Sequence, residues 1–255
     1  MQLKKDKRIG KVLFIVEGSK HEFNLIKKNF GDILGYKRIE KRRNQATFYE
    51  SQTDSHSEVA VINTKTSNIE SINDQEYLEA VYTELIEKFS FDVANASIYY
   101  IFDRDPMSNT NVKLIYDLLQ TLKNPRENDD NMQGGILLLS YPSIEAYEVS
   151  NFVDRSYKIY KRTGNDVKAY INQNAKEIAM NKINEASISH AYIEMEQGIE
   201  ELLGTAIDID DFIDINMGMF YMEEQYFKES NTYFLLSMMS YILLDLGILQ
   251  KGAEL

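Results

Sequence analysis

The sequence predicts an α/β protein: a parallel four-stranded sheet with flanking helices, plus a C-terminal helical region. Three observations carry this. Four short runs, KVLFIV (11–16), EVAVINT (58–64), ASIYYIF (96–102) and ILLLS (136–140), are almost continuously apolar, as strands buried on both faces are. Helical patterns lie between them, so strand and helix alternate. Past residue 150 the pattern becomes helical.

Each element has its own signature. Between residues 19 and 34, Phe23, Leu25, Ile26, Phe30, Ile33 and Leu34 share one helical face, with Gly31 and Gly35 near its end. A polar stretch with a basic cluster follows (36–57). DQEYLEAVYTELIEKF (74–89) is an amphipathic helix with acid in its first turn. NVKLIYDLLQTLK (111–123) reads as a helix and NPRENDDNMQGG (124–135) as a turn-rich loop. Pro142 and Ser143 open a helix carrying IEAYEVSNF. Farther on, 164–186, 189–204 and about 217–247 read as helices, and TAIDIDDFIDIN (205–216) as an acidic connector or short strand. The domain boundary falls near 155, giving an α/β domain over 1–155 and a helical region over 156–255.

The totals narrow the class. Of 255 residues, 44% are hydrophobic and only 3 are proline, an ordinary globular composition. Cysteine is absent, which excludes disulfides and thiolate metal sites and suits a reducing cytoplasm. The N-terminus is basic and then apolar, but the apolar run is short, meets Glu17 and lacks a small-residue cleavage site, so it reads as a strand. The tract 233–249 is interrupted by Ser237, Ser240 and Asp245 and falls short of the roughly 20 residues of a membrane span. Net charge is −12, against a general nucleic-acid coat. It is uneven: residues 1–50 hold 13 Lys/Arg against 6 Asp/Glu, densest at YKRIEKRRNQ (36–45). That cluster reads either as a solvated loop or as a contact for a phosphate backbone.

Acids stand where the strands end. Glu17 follows the first run, and Asp103 and Asp105 end the third. Ligands of parallel sheets sit beyond the carboxyl ends of the strands. Two residues apart in extended backbone, Asp103 and Asp105 point the same way, Arg104 points the other way, and Pro106 stops the strand. If strands one and three are neighbours, Glu17 joins the pair. Like charges about 4 Å apart repel by about 1 kcal/mol in water and about 4 near a protein surface. Mg²⁺, which takes oxygen ligands, would relieve such crowding. Singly, each acid has an ordinary explanation: Glu17 begins a loop, Asp103 caps a helix, and Glu145 complements a helix dipole.

LFIVEGSKHEF followed by IYYIFDRDP resembles the Toprim domain of topoisomerases, bacterial primases and OLD-type nucleases. LLLSYPSIEAYE (137–148) resembles the S-x-P-x-x-E element of Toprim nucleases of the RloB and AriB type, found in phage defence. The resemblance covers about residues 11–150. It implies a Toprim-like domain over 1–155, with Glu17 as a general acid/base or metal-binding glutamate and Asp103 and Asp105 as the metal pair. Glu145 would be the late acid that completes a metal position, and Glu22 the second acid of E-G-x-x-x-E. His21 departs from the family's usual Thr or Asp.

The expected activity is phosphodiester cleavage by an Mg²⁺- or Mn²⁺-dependent endonuclease, acting as a toxic effector of antiphage defence. Glu17, Asp103, Asp105 and Glu145 are the candidate catalytic and metal-binding residues. Lys20, Lys37, Arg38, Lys41, Arg42 and Arg43 are the candidates for holding DNA or RNA, tRNA included. No G-x-x-x-x-G-K-[ST] occurs, so an ATPase partner would supply any nucleotide hydrolysis. A second copy of the chain is a further candidate partner. The alternative is a non-catalytic Toprim-fold module that docks a partner protein through Tyr221, Tyr226, Phe227, Tyr233, Phe234 and Tyr241. Nucleotidyl transfer ranks below both, because the cysteines of a primase zinc site are absent. A topoisomerase would need a catalytic tyrosine in a separate domain.

Overall fold

The structure, a computed structural model, describes residues 1–39, 46–127, 134–207 and 212–251. The chain divides into two compact units: one of residues 5–102 and 111–137, the other of residues 1–4, 103–110 and 138–255.

The first unit is built on Lys11–Val16, whose Val12 to Val16 are fully buried. This strand lies parallel to Glu58–Asn63 on one side and to Ala96–Asp103 on the other, with Val16 opposite Asn63 and Ile101. Continuous burial explains the unbroken apolar runs. Beyond Glu58–Asn63 the direction reverses. Thr47–Glu50 pairs with it antiparallel, and Lys37–Ile39 pairs antiparallel with Thr47–Glu50. Lys123–Asn124 lies antiparallel to the start of Gly135–Tyr141. The sheet is therefore mixed, not the all-parallel one expected. Within the polar stretch 36–57, Thr47–Glu50 adds to an existing strand through short apolar pairs such as the buried Phe48 and Tyr49.

The first helix spans His21–Ile26 and continues as a π-helix over Lys27–Ile33. Its Phe30 ring lies 5.4 Å from that of Phe14 on the central strand. Gln75–Phe89 starts where Asp74 Oδ1 accepts the N–H of Tyr77 at 3.1 Å and ends at Ser90, whose φ is 53°. Phe89 packs on Phe48 with centroids 4.9 Å apart. Val112–Thr121 is capped by Asn111, whose side chain accepts from the N–H of Leu114.

In the second unit the end of Gly135–Tyr141 pairs antiparallel with Leu236–Ser237, and Ser140 Oγ meets Ser237 Oγ at 2.7 Å. Tyr160–Lys161 pairs with Tyr233–Phe234, and Gln2–Leu3 with Leu249–Gln250. The helices Glu145–Ser150, Gly164–Gln173, Glu185–Leu203, Phe212–Ser230 and Tyr241–Asp245 complete it. Ala146, Val149, Val167, Ile178 and Leu235 form one buried cluster. Two expected helices are broken. The pattern over 164–186 stops at Gln173; a 3-10 turn, Met180–Lys182, follows, and Asn184 then starts a new helix by accepting from the N–H groups of Ala186 and Ser187. The tract 217–247 stops at Ser230, where Asn231 takes a φ of 58° and the chain turns into short strands. No helix among the described residues is long and apolar enough to cross a membrane.

Candidate functional site

In the first unit, Glu17 follows Lys11–Val16. Its N–H donates to Ile101 O at 3.2 Å, and its carbonyl accepts from Thr64 Oγ1 at 3.3 Å. Glu22 turns back on the strand end, Oε1 accepting the N–H of Gly18 at 3.0 Å. A Cβ on Gly18 would lie 2.8 Å from Glu22 Oε2, so glycine leaves room for that carboxylate. Lys20, Lys37 and Arg38 are exposed, whereas Lys41, Arg42 and Arg43 lie outside the described residues. Arg38 is in a strand, opposite Tyr49.

In the second unit, Asp103, Asp105 and Glu145 are each held by groups brought from elsewhere in that unit. Asp103 Oδ1 accepts the N–H of Ile144 at 2.7 Å, and its carbonyl accepts from Asn109 Nδ2 at 2.7 Å. Asp105 Oδ1 accepts from Met107 N at 2.9 Å, and Oδ2 from Gly164 N at 2.7 Å. Glu145 is buried, with Lys168 Nζ 3.4 Å from its Oε1. Ser143 Oγ is also buried and has no hydrogen-bond partner among the described residues. Gly164 packs closely here: a Cβ would come within 3.0 Å of Ser143 Cβ and 3.1 Å of Asp105 Oδ2, so a neighbour would have to give by a few tenths of an ångström. Each carboxylate has about four lone-pair positions, so backbone donors orient Asp103 and Asp105 without using up their oxygens. Carboxylate oxygens are the ligand type that a hard divalent cation takes, but among the described residues Asp103, Asp105 and Glu145 do not bring three ligand atoms within 4.8 Å of one another.

Arg104, between the two aspartates, is buried and turned to another partner. Its Nε and Nη2 reach Glu224 at 2.5 and 2.9 Å, and Nη1 donates to Asn109 O at 3.0 Å. The aromatic residues of the C-terminal tract mostly pack on one another: Tyr226 with Phe234 at 4.3 Å, Phe227 with Tyr233 at 4.4 Å, Phe212 with Tyr241 at 3.4 Å. Tyr221 of that set is exposed.

Sequence reasoning missed Lys168 and Gly164, which reach the acids only through the tertiary fold. It also missed another cluster. Asp154, His190 and Glu194 place one ligand atom each within 4.8 Å of one another and could hold a metal ion. His190 and Glu194, four residues apart on a helix, were a visible signal; Asp154, from a turn, was not. Burial would lower the pKa of His190. The hydrogen bonds to Asp154 and the Ser150 carbonyl, with the charges of Glu194 and Asp154, outweigh burial and raise it. Comparison with known family models, curated proteins and solved structures finds no match.

Proposed function

We propose that the chain is a Toprim-type, divalent-metal-dependent nuclease that cleaves phosphodiester bonds of DNA or RNA, tRNA included. The observation that carries this reading is a strand register. Lys11–Val16 and Ala96–Asp103 are parallel neighbours with Val16 opposite Ile101; Glu17-Gly18 follows one, and the other ends on the first aspartate of D-x-D. Asp103, Asp105 and Glu145 would hold Mg²⁺ or Mn²⁺ through oxygen alone. Such an ion, when bound, supplies charge to polarise a phosphate and to acidify a water.

The chain's own groups do the rest. The N–H groups of Ile144, Met107 and Gly164 aim the aspartates. Lys168, exposed beside Glu145, would offer its charge to a phosphate oxygen. Glu17 takes the proton-transfer role that the resemblance gives it. Lys20, Lys37 and Arg38 offer positive charge to the nucleic-acid backbone, with Lys41, Arg42 and Arg43 extending the basic run in sequence. A role as an antiphage effector controlled by an ATPase belongs to the same proposal and rests on the resemblance.

The test is cleavage of plasmid DNA and of total RNA by purified protein in Mg²⁺ or Mn²⁺. Asp103→Asn keeps an acceptor for Ile144 and removes the charge. Wild type should cut one substrate, and Asp103→Asn and Glu17→Gln should not, with melting temperatures unchanged. Intact DNA and RNA after incubation with wild type, or equal cutting by the variants, overturns the proposal.

A further inference from the structure

We infer that Asp154, His190 and Glu194 form a second metal site, separate from the proposed nuclease acids, that takes a borderline divalent transition ion such as Zn²⁺. His190 Nδ1 lies 2.7 Å from the carbonyl oxygen of Ser150. A carbonyl can only accept, so Nδ1 carries the hydrogen and Nε2 faces the acids. Nε2 is 2.9 Å from Asp154 Oδ1 and 3.9 Å from Glu194 Oε1. Ionised carboxylates also only accept. In the neutral ring Nε2 is a third acceptor beside the two carboxylates, and either a second ring proton or a cation among them relieves the crowding. A proton on Nε2 serves Asp154 alone. A metal ion serves all three: with bonds of about 2.0–2.1 Å, tetrahedral ligands stand roughly 3.3 Å apart, between the two separations seen.

The surroundings match this assignment. The Ser150 carbonyl fixes the imidazole tautomer, as outer partners of metal-bound histidines do. Glu194 is buried and clamped by three donors: Arg155 N at 3.0 Å, Ser156 N at 2.6 Å and Ser156 Oγ at 3.1 Å. Arg155 adopts a left-handed φ of 54°, uncommon for a residue with a side chain, and Glu194 holds that turn in place. The Asp154 side chain is 94% exposed, which leaves one side of the site open to water. One imidazole nitrogen with two carboxylates suits Zn²⁺ and its first-row neighbours better than Mg²⁺, which prefers oxygen. The ion would tie the turn after Glu145–Ser150 to the helix Glu185–Leu203.

The test uses the full chain, stripped of metal, titrated with ZnCl₂ by calorimetry near neutral pH beside Asp154→Asn and His190→Gln. Asp154 is exposed, so its variant tests binding without threatening the fold. Wild type should bind one Zn²⁺, resist displacement by excess Mg²⁺ and melt at a higher temperature when loaded. Each variant should bind at least about 10-fold more weakly and lose the thermal shift. Absence of zinc binding, equal binding by both variants (which would place the zinc elsewhere, at His21 or His56), or displacement by Mg²⁺ overturns the inference. Nitrogen NMR of the His190 ring adds an independent readout: a ring that stays doubly protonated after zinc addition also overturns it.

Discussion

Arg104 and Glu224, 120 residues apart in the chain, form a two-point ion pair with contacts of 2.5 and 2.9 Å, and both are buried. Asp103 and Asp105 flank this arginine, so the pair anchors the segment that carries the candidate metal ligands. Removing one partner strands a buried charge, which typically costs about 3–5 kcal/mol, whereas replacing both with apolar groups is often nearly neutral. Arg104→Ala should therefore lose about that much in urea unfolding, and Arg104→Met with Glu224→Leu should recover most of it. A single-variant cost under about 1 kcal/mol would show that the pair does not hold the segment.

Glu223, the neighbour of Glu224, makes stability depend on pH. It is fully buried, and its Oε1 has no hydrogen-bond partner among the described residues. Burial pushes its pKa well up; the N–H of Phe234 pulls it down by less, and the charge of Glu224 adds a still smaller upward push. Below an ordinary value of 4.5 the carboxyl is protonated in folded and unfolded chains alike, and stability is full. As pH rises from there toward the folded value, only the unfolded chain releases the proton, and stability falls by about 1.4 kcal/mol per pH unit. Glu223→Gln keeps an acceptor for Phe234 and cannot ionise. It should flatten this slope and melt above wild type at neutral pH; parallel melting curves against pH for the two proteins would contradict the assignment.

Gly164→Ala separates stability from site geometry. The new Cβ would crowd Ser143 Cβ at 3.0 Å and Asp105 Oδ2 at 3.1 Å, so Asp105 must shift by a few tenths of an ångström. Alanine favours a helix over glycine by up to about 1 kcal/mol, which offsets the crowding. The melting temperature should change little. Under the proposed nuclease activity, cleavage should fall at least about 10-fold, because small misplacements of a reacting constellation are costly. Full activity in this variant would remove Asp105 from the machinery.

Which of these features the sequence could reveal follows from how local each one is. Strand Lys11–Val16 is buried on both faces, so its apolar run was unambiguous. Helix Gln75–Phe89 carries its own cap in Asp74 and was read to within a residue. The breaks at Asn174 and Asn231 are hidden, because single polar residues close helices whose apolar spacing continues beyond them. Leu236–Ser237 could not be told from helix, since a two-residue strand has no period and exists only by pairing with Ser140 and Tyr141. At the candidate site, the acids at the strand ends were legible. The groups that orient them were not: Gly164 meets Asp105 across 59 residues, and Ile144 meets Asp103 across 41.

Gly18 and Glu22 supply a prediction within the first unit. Glu22 Oε1 accepts the Gly18 N–H at 3.0 Å, and a Cβ on Gly18 would lie 2.8 and 2.9 Å from the two carboxylate oxygens. Those atoms are the far end of a flexible side chain, so Gly18→Ala is accommodated by swinging the carboxylate away and losing one hydrogen bond. The cost should be on the order of 1 kcal/mol rather than a collapse of the strand end. Glu22→Ala removes the same bond by another route. The two effects should overlap, and the double variant should be little worse than Glu22→Ala alone in urea unfolding. Strict additivity of the two costs would mean that Gly18 is needed for a backbone reason unrelated to Glu22.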